Sequence, residues 1–386
     1  MPIVNRIAEF GPDMAAWRQH IHAHPELSLA CHDTAAFVVA RLKEFGISEI
    51  HEGIATSGVV ALIDGQGPGP VTGLRADMDA LPIAEETGAP YASTVPGAMH
   101  ACGHDGHTAM LLGAARYLAE TRNFSGRVAL IFQPAEETIG GGRIMVEEGI
   151  MDRFGIEEVY AIHTDPGGDL GVLSTRPGPI MAAVDDFELT LTGRGGHAAH
   201  PDSTIDPIPC ALAIGQAFQT VPSRNLDPLK SLVVSLTVVQ GGSATNVIPE
   251  TVYMAGTVRS FDPEVRDMAE RRIREIVAGQ AASYGVSADL DYQRNYPPTV
   301  NHAAQTGFAV EVAREVAATV EDDVEPSMGA EDFSYMLEAR PGAFLYLGQG
   351  EGPSVHHPKF DFNDAAAPFG ASFFARLVER RQPLRP

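Results

Sequence analysis

Two side chains in the run His100-Ala101-Cys102-Gly103-His104-Asp105-Gly106-His107 could bind the same metal ion. Only a glycine separates Cys102 from His104, so a turn there would let a thiolate and an imidazole meet, and both are good ligands for zinc-like ions. Two other interpretations stay open at this point. Cys102 could be a buried cysteine in a tight turn, or a nucleophile paired with a histidine.

The adjacent carboxylates Glu136 and Glu137 favour the metal interpretation. Neighbouring side chains at the end of a strand point in different directions, so one carboxylate can bind metal while the other faces a water molecule. Metal-assisted hydrolysis uses this division, because a base must take a proton from a water molecule whose pKa a metal ion has lowered. The alternative is a solvated acidic turn. The apolar strand and the proline before the pair favour the catalytic interpretation.

Further candidate ligands are scattered along the chain. His163 follows an apolar segment, and His356 and His357 stand in tandem near the C-terminus. Asp77 and Asp79 could be ligands, could orient a ligand histidine, or could belong to a turn. Enough ligands for two ions that share a water molecule are offered by Cys102, His104, Glu137, His163 and a C-terminal histidine.

The candidate residues follow short apolar segments that the pattern predicts as buried strands. Val71–Arg75 precedes Asp77 and Asp79, Arg127–Phe132 precedes the glutamate pair, and Val159–Ile162 precedes His163. A helix is predicted from His107 to Glu120. Open α/β sheets form their sites at the carboxyl ends of the strands, where loops from several strands meet. The regular phase of these residues therefore predicts one site at one sheet edge.

The pattern changes between about Ala183 and Asn295. There the predicted order is strand, helix, strand, strand, helix, strand, which is typical of a ferredoxin-like unit with an antiparallel sheet. Segments of linker composition flank it, and the α/β pattern resumes afterwards. We therefore predict an α/β fold of two domains. A mixed-sheet α/β domain comprises residues 1–182 and 297–386, and an α+β domain of residues 183–296 is inserted into it.

Composition limits the classes of partner and the cellular location. The 386 residues include 27 Lys and Arg against 50 Asp and Glu, a formal net charge of −23. Such an acidic chain repels phosphate, which argues against a nucleic-acid or an anionic-membrane partner. Three cysteines, odd in number and far apart, favour a reducing compartment. With no signal-peptide pattern and no apolar stretch of ~20 residues, a cytoplasmic location is expected.

Several longer motifs occur in order along the chain: HACGHDGH, LRADMDALP at Leu74–Pro82, QPAEE, GRGGHAAHP at Gly193–Pro201, TNVIPE, GTVRSFDPEVR, and SMGAEDF at Ser327–Phe333. With these motifs the chain resembles the hippurate hydrolase and N-acyl-amino-acid amidohydrolase branch of the aminoacylase/carboxypeptidase metallohydrolases. That branch includes the indole-acetyl-amino-acid hydrolases of plants. The resemblance extends over essentially the whole chain, and HACGHDGH together with QPAEE is its most specific part.

The resemblance implies a dinuclear metal site in the α/β domain and a ferredoxin-like lid that also forms a dimer. It implies Glu136 as the general base and Asp79 as a residue that orients a ligand or tunes the site, with Asp77 beside it. It selects His356 over His357. By resemblance, His197 polarises the scissile carbonyl across the dimer interface. The implied metal ligands are Cys102, His104, Glu137, His163 and His356, and the implied substrate contacts are His197, Asn246 and Arg259.

We therefore expect metal-dependent hydrolysis of the amide bond in an N-acyl or N-aroyl amino acid. The expected cofactors are two divalent ions per subunit, zinc, manganese, cobalt or nickel, and the expected assembly is a homodimer or a tetramer. Three alternatives stay open. A dinuclear dipeptidase or aminopeptidase would require a free amino group, a cysteine hydrolase would need Cys102 but no metal, and a metal-binding protein would show no turnover.

Overall fold

The computed structural model describes residues 3–384, in which the chain folds as two units. The first unit runs up to Ile180, includes Thr299–Pro326 and resumes at Asp332. The second unit comprises Met181–Pro298 and Ser327–Glu331. The boundaries predicted from the sequence place this last segment in the α/β domain. It belongs to the second unit because the backbone N–H of Ala182 donates to the carbonyls of Ser327 and Gly329, at 3.1 and 2.8 Å.

In chain order the strands are β1 (Glu49–Ile54), β2 (Gly58–Asp64), β3 (Val71–Asp77), β4 (Arg127–Gln133), β5 (Glu158–Asp165), β6 (Leu173–Ser174), β7 (Gly178–Met181), β8 (Ala183–Thr192), β9 (Gly196–His197), β10 (Leu232–Gly241), β11 (Val247–Ile248), β12 (Thr251–Ser260), β13 (Ser287–Arg294), β14 (Thr299–Asn301), β15 (Val320–Glu321) and β16 (Gly342–Gly348). The α-helices are α1 (Asn5–Glu9), α2 (Gly11–Ala23), α3 (His32–Glu44), α4 (His104–Thr121), α5 (Gly141–Glu147), α6 (Ile150–Arg153), α7 (Pro207–Phe218), α8 (Pro263–Tyr284), α9 (Ala303–Val316), α10 (Phe333–Ala339) and α11 (Ala367–Arg381).

An eight-stranded sheet of order β1-β2-β4-β3-β5-β16-β6-β15 forms the centre of the first unit. Its three strands β4, β3 and β5 are neighbours and run parallel, whereas β1, β2 and β6 pair antiparallel with their neighbours β2, β4 and β16. The prediction of a mixed α/β fold is therefore confirmed. Because β3, β4 and β5 are parallel and adjacent, their carboxyl ends meet at one edge, and each contributes or precedes a candidate residue.

Helix α4 begins at His104, three residues before the predicted start at His107. Gly103 precedes it with φ +88°, a left-handed conformation that glycine adopts without steric cost. The buried side chains of α4 pack into the main hydrophobic core of the unit, together with side chains of α2 and α11. This early start places His104 in the first turn of a buried helix, directly beside the edge where β3 and β5 end.

The sequence predicts a helix from Trp17 to Phe45 with an interruption at His24-Pro25, and the structure has two helices there, α2 and α3, joined by residues 24–31. Pro25 cannot continue α2, because it lacks an N–H and its ring clashes with the preceding turn. Glu26 then caps α3, since its carboxylate accepts hydrogen bonds from the N–H groups of Asp33 and Thr34 at 3.1 and 2.8 Å. In the same segment, Leu27 forms a β-bridge with Ala80.

The second unit contains a four-stranded antiparallel sheet of order β10-β12-β8-β13, packed against α7 and α8. Along β12 buried side chains alternate with more exposed ones, so one face of the sheet meets the helices. Asp206 and Asp262 cap the two helices by accepting backbone N–H groups of the first turn. The strands and helices therefore follow one another as strand, helix, strand, strand, helix, strand.

Among residues 3–384, no helix combines the length and the apolar character needed to cross a membrane.

Candidate metal centre

Five of the predicted ligands meet in the first unit as two overlapping groups. In one group the ligand atoms of Cys102, His104 and His163 lie within 4.8 Å of one another, and in the other those of Cys102, Glu137 and His356 do so. Cys102 belongs to both groups. A thiolate can bridge two ions, so this arrangement matches a dinuclear centre with a shared sulfur ligand.

His104 and His163 are oriented as metal ligands need. His104 Nδ1–H donates to the backbone carbonyl of Asp79 at 2.8 Å, and His163 Nδ1–H donates to that of Thr164 at 2.7 Å. A carbonyl oxygen can only accept, so in the neutral form of each ring Nε2 carries the lone pair. Nε2 of His163 accepts from the Cys102 thiol at 3.3 Å, while Nε2 of His104 is buried with no hydrogen-bond partner.

The glutamate pair sits on a turn that follows β4. Ala135 has φ +59° in this turn, and the carbonyl of Ala135 accepts a hydrogen bond from Gly141 N–H at 3.0 Å. Oε1 of Glu137 lies 3.9 Å from His104 Nε2 and 3.2 Å from His356 Nε2. Glu136 is 7% exposed. Its carboxylate, the carboxylate of Glu137 and the ring of His104 each offer a ligand atom, and these atoms lie within 4.8 Å of one another. The two carboxylates are thus close enough to serve the same centre in different roles.

Negative charge dominates the centre and determines its protonation. Burial and the nearby carboxylates of Glu137 and Glu136 raise the pKa of the Cys102 thiol well above its usual value. Burial disfavours the charged form of His104, but Asp77 and Asp79 outweigh it and raise its pKa to about 10. A site in which carboxylates hold protons on a thiol and an imidazole is suited to binding cations that displace those protons.

This donor set fits divalent metal ions. It combines sulfur, imidazole and carboxylate ligands, which suit zinc and the neighbouring transition metals. Within residues 3–384, two of its buried atoms, His104 Nε2 and Glu137 Oε1, accept or donate no hydrogen bond of good geometry, although His356 Nε2 lies 3.2 Å from the second. Buried polar atoms without partners are costly, and a bound cation would satisfy both. The chemistry and the geometry of the residues present are therefore those of a metal centre.

His107 and Asp77 support the centre from behind. Asp77 Oδ1 accepts from His107 Nδ1–H at 2.6 Å, and the N–H of Thr164 donates to His107 Nε2 at 2.9 Å. Both ring nitrogens of His107 are therefore occupied. Oδ2 of Asp77 lies 3.7 Å from Nε2 of His104 and also accepts from Arg75 at 2.7 Å. His100, the first histidine of the octapeptide, is buried and neither of its ring nitrogens has a hydrogen-bond partner.

A buried polar network contacts Asp77 through Arg75 and was not predicted from the sequence. Arg75 is 1% exposed and donates to Gln133 at 2.9 Å and to Asp332 at 2.9 Å, and Gln133 also donates to Asp332. These residues fix the ends of β3 and β4. The available signal was an arginine inside an otherwise apolar strand, which must find a buried partner if the strand is buried.

The tandem histidines near the C-terminus have different surroundings. His356 approaches Glu137, and its backbone N–H donates to the carbonyl of Ala101 at 2.7 Å. His357 instead accepts a hydrogen bond from the N–H of Lys359 at 3.1 Å and is exposed. His356 has φ +64°, an uncommon conformation for a residue other than glycine, and the tether to Ala101 helps to maintain it.

The three predicted substrate contacts lie in the second unit. His197 lies on β9 and pairs with Val247 of β11, and Asn246 directly precedes β11; the N–H of Ala198 donates to the carbonyl of Asn246 at 3.0 Å. His197 Nδ1 accepts from the N–H of Ala199 at 3.0 Å, so in the neutral ring Nε2 carries the proton and can donate.

Arg259 lies on β12 of the same unit, between Val184 of β8 and Val233 of β10 in the strand register. Burial lowers its pKa against the opposing effect of Asp186 and Asp185. Its Nη1 is buried and has no hydrogen-bond partner. A half-buried guanidinium with a donor to spare is suited to binding a carboxylate.

The chain is similar to known hydrolases over most of its length. The model of the peptidase family M20/M25/M40 matches residues 73–380. The N-acetyl-L-cysteine deacetylase of Bacillus subtilis is 42% identical over 358 residues, which cover 92% of this chain and 85% of that protein. The hippurate hydrolase of Campylobacter jejuni is 37% identical over 380 residues, 98% of this chain and 99% of that one.

A solved structure from Bacillus subtilis is also similar. It is described as a dinuclear metal-binding peptidase of the M20 family, with 36% sequence identity and a TM-score of 0.85. The similarity covers 96% of this chain and 98% of that structure.

Proposed function

This chain belongs to peptidase family M20/M25/M40, and on that premise we propose that it is a metal-dependent amidohydrolase of N-acyl or N-aroyl amino acids. The reaction releases a carboxylic acid and a free amino acid. One observation carries the proposal: two groups of metal-ligand atoms share Cys102, and a third group brings the carboxylate of Glu136 together with the carboxylate of Glu137 and the ring of His104.

The metal centre takes two divalent ions, zinc, manganese, cobalt or nickel. Their ligands are Cys102, His104, Glu137, His163 and His356. When bound, the ions supply Lewis acidity, which lowers the pKa of a water molecule and polarises a carbonyl group. The tautomers of His104 and His163 leave Nε2 available for this role, since Nδ1 of each ring donates to a backbone carbonyl.

Glu136 is the general base. It takes one proton from the attacking water molecule as the water oxygen bonds to the amide carbon, and it passes that proton to the amide nitrogen as the C–N bond breaks. The amine then leaves neutral, and the acyl group leaves as a carboxylic acid that keeps the second proton of the water molecule and afterwards loses it to solvent. Burial of Glu136 suits this role, because a carboxyl group shielded from water exchanges its proton with the substrate and not with solvent.

Substrate recognition is assigned to His197, Asn246 and Arg259. The protonated Nε2 of His197 is a donor for the oxygen that becomes negative during the attack. The unpartnered Nη1 of Arg259 suits the α-carboxylate of the amino acid. From the family resemblance we also propose that the protein is a cytoplasmic homodimer. The second unit would then serve as its lid and as the element that forms the dimer.

Two alternatives use the same residues differently. A dipeptidase or aminopeptidase of the family would need an anionic partner for the substrate's free amino group. A cysteine hydrolase would use Cys102 as the nucleophile with His163 as its base. The protonation of that pair disfavours a cysteine hydrolase: the pKa of the Cys102 thiol is raised, and burial and His107 lower that of His163 to about 3. The pair is then a neutral thiol beside a neutral imidazole, not an activated ion pair.

A substrate comparison with the metal-loaded full chain tests the proposal. Hippurate and N-acetyl amino acids should be hydrolysed, whereas the same amino acids in unblocked dipeptides should react far more slowly. Dialysis against a chelator should abolish turnover, and divalent ions should restore it. Faster hydrolysis of dipeptides would establish the peptidase alternative. Turnover that survives chelation but is lost on alkylation of Cys102 would establish the cysteine hydrolase.

A further inference from the structure

A C-terminal segment packs directly on the octapeptide that carries two of the proposed ligands. We call residues 356–364 the clasp. Its Phe360 and Phe362 are fully buried, and a Cβ atom built on Gly106 would lie 2.4 Å from the ring of Phe362. A Cβ atom on Gly103 would lie 2.6 Å from Thr164 Cγ2 and 3.4 Å, an ordinary contact distance, from the ring of Phe360. Gly106 therefore leaves the space that Phe362 of the clasp occupies.

A single buried guanidinium joins the clasp to the start of α4. Arg18, on α2, is 1% exposed; its Nη1 donates to Asp361 at 2.8 Å and its Nε donates to Asp364 at 2.6 Å. The same Nη1 lies 3.8 Å from Asp105, the residue that follows His104 in the chain. Arg18 thus carries the positive charge between two carboxylates of the clasp and one of the octapeptide.

Tyr91 reinforces this arrangement. Its ring lies under the guanidinium, with 4.4 Å between the carbon of the guanidinium and the ring centroid. Its hydroxyl accepts from Arg18 Nη2 at 3.1 Å and donates to Asp361 at 2.7 Å. Arg18 therefore bonds to both carboxylates of the clasp and to the Tyr91 hydroxyl at once through the fork geometry of an arginine, which a lysine cannot reproduce.

The ligand that the clasp supplies is the one that depends most on such support. His356 is 52% exposed, whereas Cys102, His104 and Glu137 are at most 9% exposed. The backbone of His356 is left-handed, and its N–H donates to the carbonyl of Ala101, which lies outside the clasp. The other ligands are held by α4 and the sheet. Loosening the clasp should therefore displace His356 and leave the Cys102–His104–His163 group in place.

We propose that Arg18 is a positioning residue of the metal centre: by fastening the clasp to the octapeptide, it sets the affinity of the ion position that Glu137 and His356 complete. The inference rests on the proposed metal ligands but not on the substrate. It assigns Arg18, 338 positions away from His356 in the chain, to one of two ion positions and not to both.

The test counts metal ions in the two-metal holoenzyme and in its Arg18→Gln, Arg18→Lys and Asp361→Asn variants. Each protein is dialysed against increasing concentrations of chelator, and the ions retained per chain are measured by mass spectrometry. Each variant should lose one of its two ions at a chelator concentration roughly tenfold or more below that for wild type, while the other ion is retained normally. The mildest change, Asp361→Asn, keeps Arg18 paired with Asp105 and serves if the Arg18 variants do not fold.

Two controls separate positioning from general destabilisation. Arg266→Gln removes a different buried arginine, which pairs with Asp185 in the second unit, and it should retain both ions as wild type does. In a His356→Ala background, Arg18→Gln should cause no further loss, because the ligand it positions is already absent. Joint loss of both ions, wild-type retention of both, or an additive effect with His356→Ala overturns the inference.

The outcomes also distinguish this inference from the proposed function. A wild-type protein that holds two ions but hydrolyses no N-acyl amino acid refutes the function. The ion counts of the variants then still decide whether Arg18 positions the metal centre. A wild-type protein that holds fewer than two ions refutes the ligand set and this inference together.

Discussion

Oδ1 of Asp79 accepts a hydrogen bond from the backbone N–H of Glu136 at 2.9 Å. The other carboxylate oxygen, Oδ2, accepts from the N–H of Glu137 at 3.1 Å, and the backbone carbonyl of Asp79 accepts from His104 Nδ1–H. Asp79 therefore fixes the proposed base and two proposed ligands at once, the glutamates through its side chain and the histidine through its main chain.

Asp79→Asn should lower kcat by about 10- to 100-fold, the usual cost of removing a partner that orients a metal site. Asparagine is nearly the same size, but its amide NH₂ must face one of the two N–H donors, so one hydrogen bond becomes a repulsion between donors. Steady-state kinetics at saturating metal measure the effect. Asp13→Asn, an exposed carboxylate on α2, is the matched control. An unchanged kcat would show that the glutamate turn holds its shape without Asp79.

Glu136→Gln should reduce kcat by about 100- to 10,000-fold or more while the metal content stays near that of wild type, because an amide cannot accept and return the proton. Glu137→Gln should instead lose metal, since the amide is a far weaker ligand than a carboxylate. Metal analysis beside kinetics separates the two changes. Metal loss from the Glu136 variant with retention in the Glu137 variant would mean that the two roles are exchanged.

Gly106→Ala should lower the free energy of unfolding by about 1–3 kcal/mol, because the new Cβ would lie 2.4 Å from the ring of Phe362. Phe362→Leu in the same chain should recover part of the loss by making room. The control is Gly279→Ala in the interior of α8, where nothing lies within 4 Å and alanine should stabilise the helix by about 0.5–1 kcal/mol. Denaturant unfolding measures all three. Equal stability of the Gly106 variant and wild type would exclude tight packing of the clasp there.

The sequence predicts those parts of the centre that local pattern controls. An apolar strand of five or six residues is visible without knowledge of its neighbours, so the position of the glutamate pair beyond a strand end could be predicted. Two details differ, since Asp77 is the last residue of β3 and His163 lies within β5, and neither lies beyond its strand. Strand β5 continues to Asp165 because β16 pairs with it along its whole length, and that partner lies far away in the chain.

Hydrogen bonds between residues that are far apart in the chain could not be predicted from the sequence. Arg75 bonds to Asp332, 257 positions away, and Arg18 bonds to Asp361 and Asp364. The residue types show that each arginine needs a buried anion, but many carboxylates along an acidic chain satisfy that requirement equally. Only the packing of distant segments selects among them. Likewise, only the family motif favours His356 over His357, because the local sequence alone does not distinguish two adjacent histidines.

Metal binding should release at least about two protons per chain at pH 7.5, one from the Cys102 thiol and one from the His104 imidazolium. A further part comes from His356, whose pKa the hydrogen bond to Glu137 raises. In the metal-free protein the pKa of the thiol is raised well above 9.0, and that of His104 is raised to about 10 against an ordinary value of 6.5. The proton on His104 stabilises the metal-free fold fully below pH 6.5, and this stabilisation is lost as the pH rises through 10. Metal affinity should rise over the same range.

Calorimetric titration in buffers of different ionisation enthalpy counts the released protons. His104→Gln should release one proton fewer than wild type, whereas His357→Gln, a change in the neighbouring exposed histidine, should not alter the count. A count of zero for wild type would mean that these groups are already deprotonated in the metal-free protein.

Arg259→Ala should raise KM for N-acyl amino acids with little change in kcat. The lost interaction is a charge-assisted hydrogen bond, worth about 1.5–3 kcal/mol, so kcat/KM should fall roughly 10- to 100-fold. The structural reason is the buried Nη1 of Arg259, which has no hydrogen-bond partner in the part of the chain that the structure describes and can donate to a substrate carboxylate. An N-acyl amino acid amide lacks that carboxylate and should be hydrolysed with the same KM by variant and wild type. Arg224→Ala, an exposed arginine of the same unit, should leave both substrates unaffected. If KM for the carboxylate substrate is unchanged in the Arg259 variant, another residue binds the carboxylate.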